Sequence, residues 1–315
     1  MHIRANLYVE KFDCLVALYF ICKEVILAEK DKIQRTLESY NDVFADIVNV
    51  LLFNGAEVVK ESDLSDAQPF SYYKMDGNKV HSQERDVSKY WNNGQIRLSM
   101  VGLENQMKID KFMPLRVIGY DGAAYRAQLL EKPRNACYPI ITLVLYFGTI
   151  GRWKQNRTLK EVISVPSVLD QFVSDYKINV FELAWLTDKQ INCFKSDFRS
   201  VVQFLKCQRT KKEFTGDKKK LKHGMEILDL LRVMSNNDAN LIKAIEGLKE
   251  KSKKGGIGMC DVIQHWVDIG SQQKAVEDAQ NFLAMKILTP EQISKGTGLP
   301  LEQVLELQKQ ITVQA

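Results

Sequence analysis

Three side chains in this sequence have the types and spacing for metal-assisted chemistry: Asp86, Glu104 and Gln106. Glu104 and Gln106 lie two residues apart in a run, Ile96–Gln106, that reads as a β-strand, so their side chains point to one face. Ile96, Leu98, Met100 and Gly102 precede them on that face. A carboxylate at the end of such an apolar stripe sits where a core opens to solvent. Asp86 begins the preceding strand candidate, Arg85–Trp91, and Asn92-Asn93-Gly94 between the two runs is a strong hairpin signal. An antiparallel hairpin brings the start of one strand beside the end of the next. Loop length leaves the facing open. A two-residue loop sets Asp86 opposite Val101, a three-residue loop sets it opposite Met100 on the face of Glu104, and a bulge rotates it again. Two converging carboxylates beside a polar group suit Mg²⁺, a hard ion that takes oxygen ligands and substrate phosphate oxygens. The competing reading is that acids and amides near strand ends are simply solvated.

Other residues are candidates for contact with a polyanion. Arg116 and Tyr120 are four apart on the helix expected after the Glu104 strand and share a face that is either phosphate-binding or solvated. Arg97 and Lys108 are weaker candidates. Lys206–His223 holds eight Lys/Arg against Glu213 and Asp217, including Lys211, Lys212, Lys218, Lys219 and Lys220. Such a run neutralises DNA phosphates or serves as a solvated linker. Trp91, Trp153, Trp185 and Trp266 are scattered, which favours core packing over base stacking.

The elements that must position these groups follow from periodicity. Apolar residues at three- and four-residue steps predict one helix over Asp31–Phe53, stopped by Asn54-Gly55. A polar irregular stretch follows to about Gln83, with Pro69 and a turn-like Asp76-Gly77-Asn78. After the hairpin, Asp110–Leu130 reads as a helix with Gly119 and Gly122 interrupting it. Tyr138–Phe147 reads as a buried strand, Lys177–Leu186 as another and Asp188–Lys206 as a helix. No strand is expected from about 206 onward.

Composition is that of a globular protein: 45% hydrophobic, 26% charged, net charge +5 over 315 residues. The mild basic excess suits a polyanionic partner without requiring one. The six cysteines form no CxxC pair and no zinc-spaced cluster, which points to free thiols in a reducing cytoplasm. No apolar run reaches the roughly 20 residues of a membrane span. Cys14–Cys22 is apolar, but Lys23 and Glu24 follow directly without a small-residue cleavage site. A start nearer Leu27 or a packed helix is therefore preferred to a secretion signal.

Longer segments carry a resemblance. Glu84-Arg85-Asp86, the hairpin, then Gly102-Leu103-Glu104-Asn105-Gln106 is similar to the PD-(D/E)XK nuclease pattern in its E-x-Q form. The stretches 40–55, 84–91, 102–106, 113–129, 138–148 and 177–186 resemble the Rpn family, bacterial recombination-promoting nucleases also labelled transposases. The resemblance covers about 30–310. It implies an α/β protein with a PD-(D/E)XK restriction-endonuclease-like core (αβββαβ, a mixed sheet flanked by helices), followed by an all-helical C-terminal region. It also implies DNA as substrate, a divalent cation such as Mg²⁺, and Asp86 and Glu104 as metal ligands. Gln106 stands where many members carry lysine. An amide supplies no positive charge, so the general base stays unassigned. A further acid from the first helix is implied, with Asp42 or Asp46 as candidates.

The expected organisation is a leader over 1–30, the nuclease domain over 31–205, a basic linker or helical region over 206–254, and a helix-turn-helix-like module over 255–315. In that module Thr289-Pro290 reads as an N-cap followed by proline at the first helical position. Glu302 and Glu306 make its second helix a poor DNA reader. Leu299, Leu301, Val304, Leu305 and Ile311 suit packing or a homodimer contact instead. The leading expectation is a metal-dependent DNA endonuclease. The alternatives are a non-catalytic DNA-binding protein on the same fold, or an oligomeric interaction protein worked by its C-terminal helices. No acidic triad for a DDE-type transposase is evident.

Overall fold

The computed structural model describes residues 30–67, 70–74, 80–94, 96–130, 137–216, 219–235, 239, 243 and 258–314. The leader expected over 1–30, apart from Lys30, lies outside them, as do Asp76-Gly77-Asn78 and Lys218. The chain divides into two compact units. The first holds the residues up to 214 together with 225–234, and the second holds 215–224 and the residues from 235 on.

The first unit is built on a five-stranded mixed sheet with strand order β1-β4-β5-β6-β7. These are β1 (Leu64–Asp66), β4 (Val87–Asn93), β5 (Ile96–Gln106), β6 (Ile140–Tyr146) and β7 (Asn179–Glu182). β4 runs antiparallel to both β1 and β5, and β5, β6 and β7 run parallel to one another. β2 (Phe70–Lys74) and β3 (Val80–Glu84) form a separate antiparallel pair in the stretch expected to be irregular.

Helices cover both faces. α3 (Met113–Leu130) packs through Met113 and Val117 on Val144, Tyr146, Trp153 and Val180, which fill one core cluster. Gly119 and Gly122 lie inside this helix without interrupting it. The opposite face meets α1 (residues 30–39) and α2 (Asn41–Phe53). Glu38 there bonds Asn105 of β5, and the Phe44 ring lies 5.9 Å from the Lys89 ammonium of β4. The single helix expected over 31–53 is thus two. Tyr40 takes an extended backbone (φ −67°, ψ 130°) and its hydroxyl donates to Glu226 of α6 (Gly224–Met234) at 2.7 Å.

The helix expected over 188–206 is also broken, into α4 (Asp188–Cys193) and α5 (Phe198–Thr210). The cause is Asp46, whose carboxylate accepts from the backbone N–H groups of Lys195 and Ser196 at 2.7–3.1 Å. The domain border expected at 205 falls inside α5, and α6 belongs to the first unit.

The second unit contains α7 (Met259–Met285), α8 (Pro290–Thr297) and α9 (Leu301–Gln314). Thr289 caps α8 in a reciprocal box with Gln292, and Gly298 ends it at φ 75°. Ala279, Leu283, Ile293, Leu299, Val304 and Leu307 form its core. Leu301 and Leu305, expected to pack or to make a homodimer contact, are exposed because the helix phase turns Val304 and Leu307 inward. Among the described residues no helix is long and apolar enough to cross a membrane. Cys137, Cys193, Cys207 and Cys260 are free.

Candidate functional site

The hairpin register decides what faces what. β4 runs on through Asn92 and Asn93, residues expected in the turn, and the chain reverses after them at Gly94 (φ 60°). A bulge between Trp91 and Asn92 then shifts the pairing so that Val87 opposes Leu103. Neither Val101 nor Met100 faces Asp86. Extending that register by one residue sets Asp86, just before β4, opposite Glu104. Its Oδ2 accepts from the Asn105 backbone N–H at 2.6 Å, which anchors it to the end of β5.

Glu104 is buried (2% exposed) on the face covered by α3. Its Oε1 takes the Arg116 guanidinium at 2.6 Å, while its Oε2 is buried without a hydrogen-bond partner. Burial is the main force on this carboxyl. Together with the Asp86 charge it raises the pKa to about 8, against the opposing pull of Arg116, Arg85 and Arg35. Arg116 is steadied by Asp110 at 3.2 Å and by the Tyr120 hydroxyl at 3.1 Å. Thus Arg116 and Tyr120 do converge on this end of the sheet.

The other face contributes residues that sequence reasoning missed. Glu38 of α1 is 1% exposed, accepts from the Asn105 side chain at 2.7 Å, and leaves Oε1 unpartnered. Burial pushes its pKa well up, and the Asp86 charge adds to the rise. Arg35, one turn earlier, ion-pairs with Asp86 Oδ1 at 2.8 Å. Gln34 is buried with both amide atoms unpartnered. A signal existed: Gln34 and Glu38 are four apart and flank Leu37 on the inward side of α1, polar residues where a core helix should be apolar.

Beneath the pair lies a closed ion network. Arg85 and Asp121 are 3% and 4% exposed and meet at 2.6 Å. Asp121 also accepts from Thr142 at 2.6 Å and from the Tyr176 hydroxyl. Gly102 leaves room for this guanidinium, since a Cβ there would stand 2.6 Å from Arg85 Cδ. The absence of a side chain in the apolar stripe is therefore a clearance for Arg85.

Apart from Gln106, the remaining candidates sit elsewhere. Asp46 spends both oxygens on the 195–196 backbone, and Asp42 lies in the first turn of α2. Gln106 is half-buried and pairs in register with Tyr146. Arg97 stacks on Tyr90 at 4.0 Å. Lys108, Lys211, Lys212, Lys219 and Lys220 are exposed.

Among the described residues no group of three or more His, Cys, Asp or Glu forms a ready metal cluster. The donor chemistry still fits a hard divalent cation, because Glu38 and Glu104 each bury one carboxylate oxygen without a partner, both close enough to feel Asp86. An unpaired buried oxygen is costly, and a cation or a proton relieves it.

A mixed sheet covered by helices on both faces, with a buried acid at the end of a central strand, defines an α/β protein of the kind compatible with a nuclease core. Residues 97–234 match the family model described as "Putative transposase, YhgA-like". The match takes in Glu104, Gln106, Arg116 and Tyr120; Glu38, Asp86 and α7–α9 fall outside it. No curated protein and no solved structure matches the chain.

Proposed function

We propose that this protein is a PD-(D/E)XK-type, divalent-metal-dependent DNA endonuclease linked to recombination or mobile elements. Asp86 and Glu104 are its metal-binding carboxylates, and Glu38, rather than Asp42 or Asp46, is the acid from the first helix. The observation that carries the reading is the buried Glu104 carboxylate with a free oxygen, opposite Asp86 at the open end of the hairpin. A structural acid would have both oxygens satisfied, as Asp121 does.

A bound cation supplies acidity to a water molecule and positive charge to the scissile phosphate. The chain's own groups do the rest. Arg116, whose two terminal nitrogens are engaged by Glu104, Asp110 and Tyr120, holds the Glu104 carboxylate in place and would reach a phosphate oxygen only by giving up one of these partners. Gln106 can orient the attacking water through its amide but adds no charge. Arg85, fixed from below, holds the backbone entering Asp86. The exposed lysines 211, 212, 219 and 220 can add non-specific attraction for the DNA backbone. Leu301 and Leu305 offer an apolar contact for a homodimer, which would bring two sites to two strands.

The test is supercoiled plasmid incubated with the protein and Mg²⁺ or EDTA, beside folded Asp86→Ala and Glu104→Ala variants. Nicking that needs Mg²⁺ and vanishes in both variants is the expected result. Cleavage surviving in either variant removes the site assignment. One observation favours a second reading, a DNA-binding protein that kept the fold without cutting: Arg35 and Arg116 already neutralise the two carboxylates. Binding without cleavage by the wild type would select it.

A further inference from the structure

Arg35 occupies an unusual position. Its guanidinium is 38% exposed and ion-pairs with Asp86 Oδ1 at 2.8 Å, yet it also lines an open cavity of about 660 Å³. That volume lies in the range of small-ligand sites, roughly 300–1,000 Å³. Lys32, Thr36 and Ser39 of α1 line the same cavity. Steps of three and four residues put them along one side of the helix, so the wall offers two cations beside two hydroxyls that donate to the helix's own carbonyls at 2.9 and 2.7 Å. Asp86, with Asp66 and Ala67 of the β1 region, completes the lining.

We propose that this cavity receives a sugar-phosphate unit of the nucleic-acid strand next to the one held at Asp86, and that Arg35 is shared between Asp86 and that phosphate. The proposal rests on the nuclease reading for the nature of its ligand. Charge balance is the argument for sharing. The wall carries Asp31, Asp66 and Asp86 against Lys32 and Arg35, and Asp66 is met by the buried Lys89 ammonium at 2.5 Å. With every acid ionised the cavity is balanced and has no net attraction for a phosphate. Neutralising Asp86 leaves an excess of positive charge and weakens one of the contacts on the guanidinium. A planar fork beside the reacting centre then meets phosphate oxygens bidentately. Gln106 cannot provide a cation there. On the opposite face Arg116 is committed to Glu104, Asp110 and Tyr120. Arg35 thus supplies the positive charge on the α1 side.

The sharing predicts a coupling that can be read without any metal. A fluorescein-labelled DNA oligonucleotide is titrated in EDTA, by anisotropy, with wild type, Arg35→Ala, Asp86→Asn and the double variant. Asp86→Asn is expected to bind about tenfold tighter than wild type, and Arg35→Ala to abolish that gain. The log–log salt slope should fall by about 0.9 for duplex, or 0.7 for a single strand, when the Arg35 contact is lost. A double variant that binds as tightly as Asp86→Asn overturns the proposal, because the gain would then be lost repulsion alone.

If Asp86→Asn fails to fold, wild type and Arg35→Ala are compared on a phosphorothioate-linked oligonucleotide with Mg²⁺ and with EDTA. A deficit of at least fivefold confined to Mg²⁺ supports the sharing, and equal binding overturns it. Plasmid nicking on the same preparations keeps the two ideas separate. Nicking without Arg35-dependent binding removes this inference alone, and Arg35-dependent binding without nicking removes only the catalytic reading. No oligonucleotide binding by any form removes this inference.

Discussion

Two arginine–carboxylate pairs of equal length lie within one site, and they are built differently. Arg85–Asp121 and Arg116–Glu104 both close at 2.6 Å. The first is shut in from both sides, and Asp121 has a donor on each oxygen: Arg85 and Thr142 on one, Tyr176 on the other. The second has a guanidinium 41% exposed and a carboxylate oxygen with no partner. A buried carboxylate with a donor on each oxygen fixes geometry, whereas a half-satisfied buried carboxyl stays chemically available. Their separation is short along the chain: Tyr120, which steadies Arg116, precedes Asp121 on α3.

The largest expected effect breaks the closed pair. Asp121→Ala leaves the Arg85 charge buried and uncompensated and should destabilise the fold by roughly 3–5 kcal/mol. Arg116→Ala removes a guanidinium that is itself 41% exposed, and the Glu104 carboxyl left behind can take a proton, so it should cost far less. Urea melts of the two variants test the contrast, and equal losses would show that the open pair is structural too.

A smaller loss is expected from Gly102→Ala. Its new Cβ would press on Arg85 Cδ at 2.6 Å, an overpacking cost of about 1–3 kcal/mol. Because Arg85 leads directly into Asp86, cleavage should fall with stability in this variant. A variant as stable as wild type would mean that Arg85 has room to move aside.

The open pair should announce itself in pH dependence. Glu104 has a folded pKa near 8 against 4.5 when unfolded. Between those values the folded state holds a proton that the unfolded state has lost, so metal-free stability should decline as pH rises from about 4.5 to about 8. Glu38 acts in the same direction. Glu104→Gln keeps the neutral form and should flatten part of that decline in thermal melts in EDTA, and Mg²⁺ should raise the wild-type melting temperature most near pH 8. Identical pH profiles for wild type and Glu104→Gln would contradict the protonated state.

The smallest effect lies far from either pair. Thr289→Ala removes the cap of α8 and should cost about 1 kcal/mol, while leaving plasmid nicking unchanged. Lost nicking at unchanged fold would assign the C-terminal helices a part in catalysis.

Much of the fold was legible because local chemistry decided it. β5 begins and ends where alternation placed it, and β6 fills the apolar run. The Thr289-Pro290 start and Gly298 stop of α8 are backbone requirements written in adjacent residues. The irregular stretch that holds β1, β2 and β3 was not legible. β1 depends on partners more than twenty residues away, such as Tyr90 and Trp91, and the first ladder pairs Phe70 with Glu84.

The sequence by itself determined the residue types at the hairpin's open end, the shared face of Glu104 and Gln106, and the helical character of the C-terminal region. Only tertiary structure decided which acids meet. A single bulge turned Asp86 toward Glu104, and the extended backbone at Tyr40 split the first helix. That helix brought Glu38 and Arg35 to the site, while Asp46 went to cap the chain at 195–196. Spacing along a helix or strand fixes which side chains share a face. It carries no information about which distant backbone groups will claim a carboxylate first.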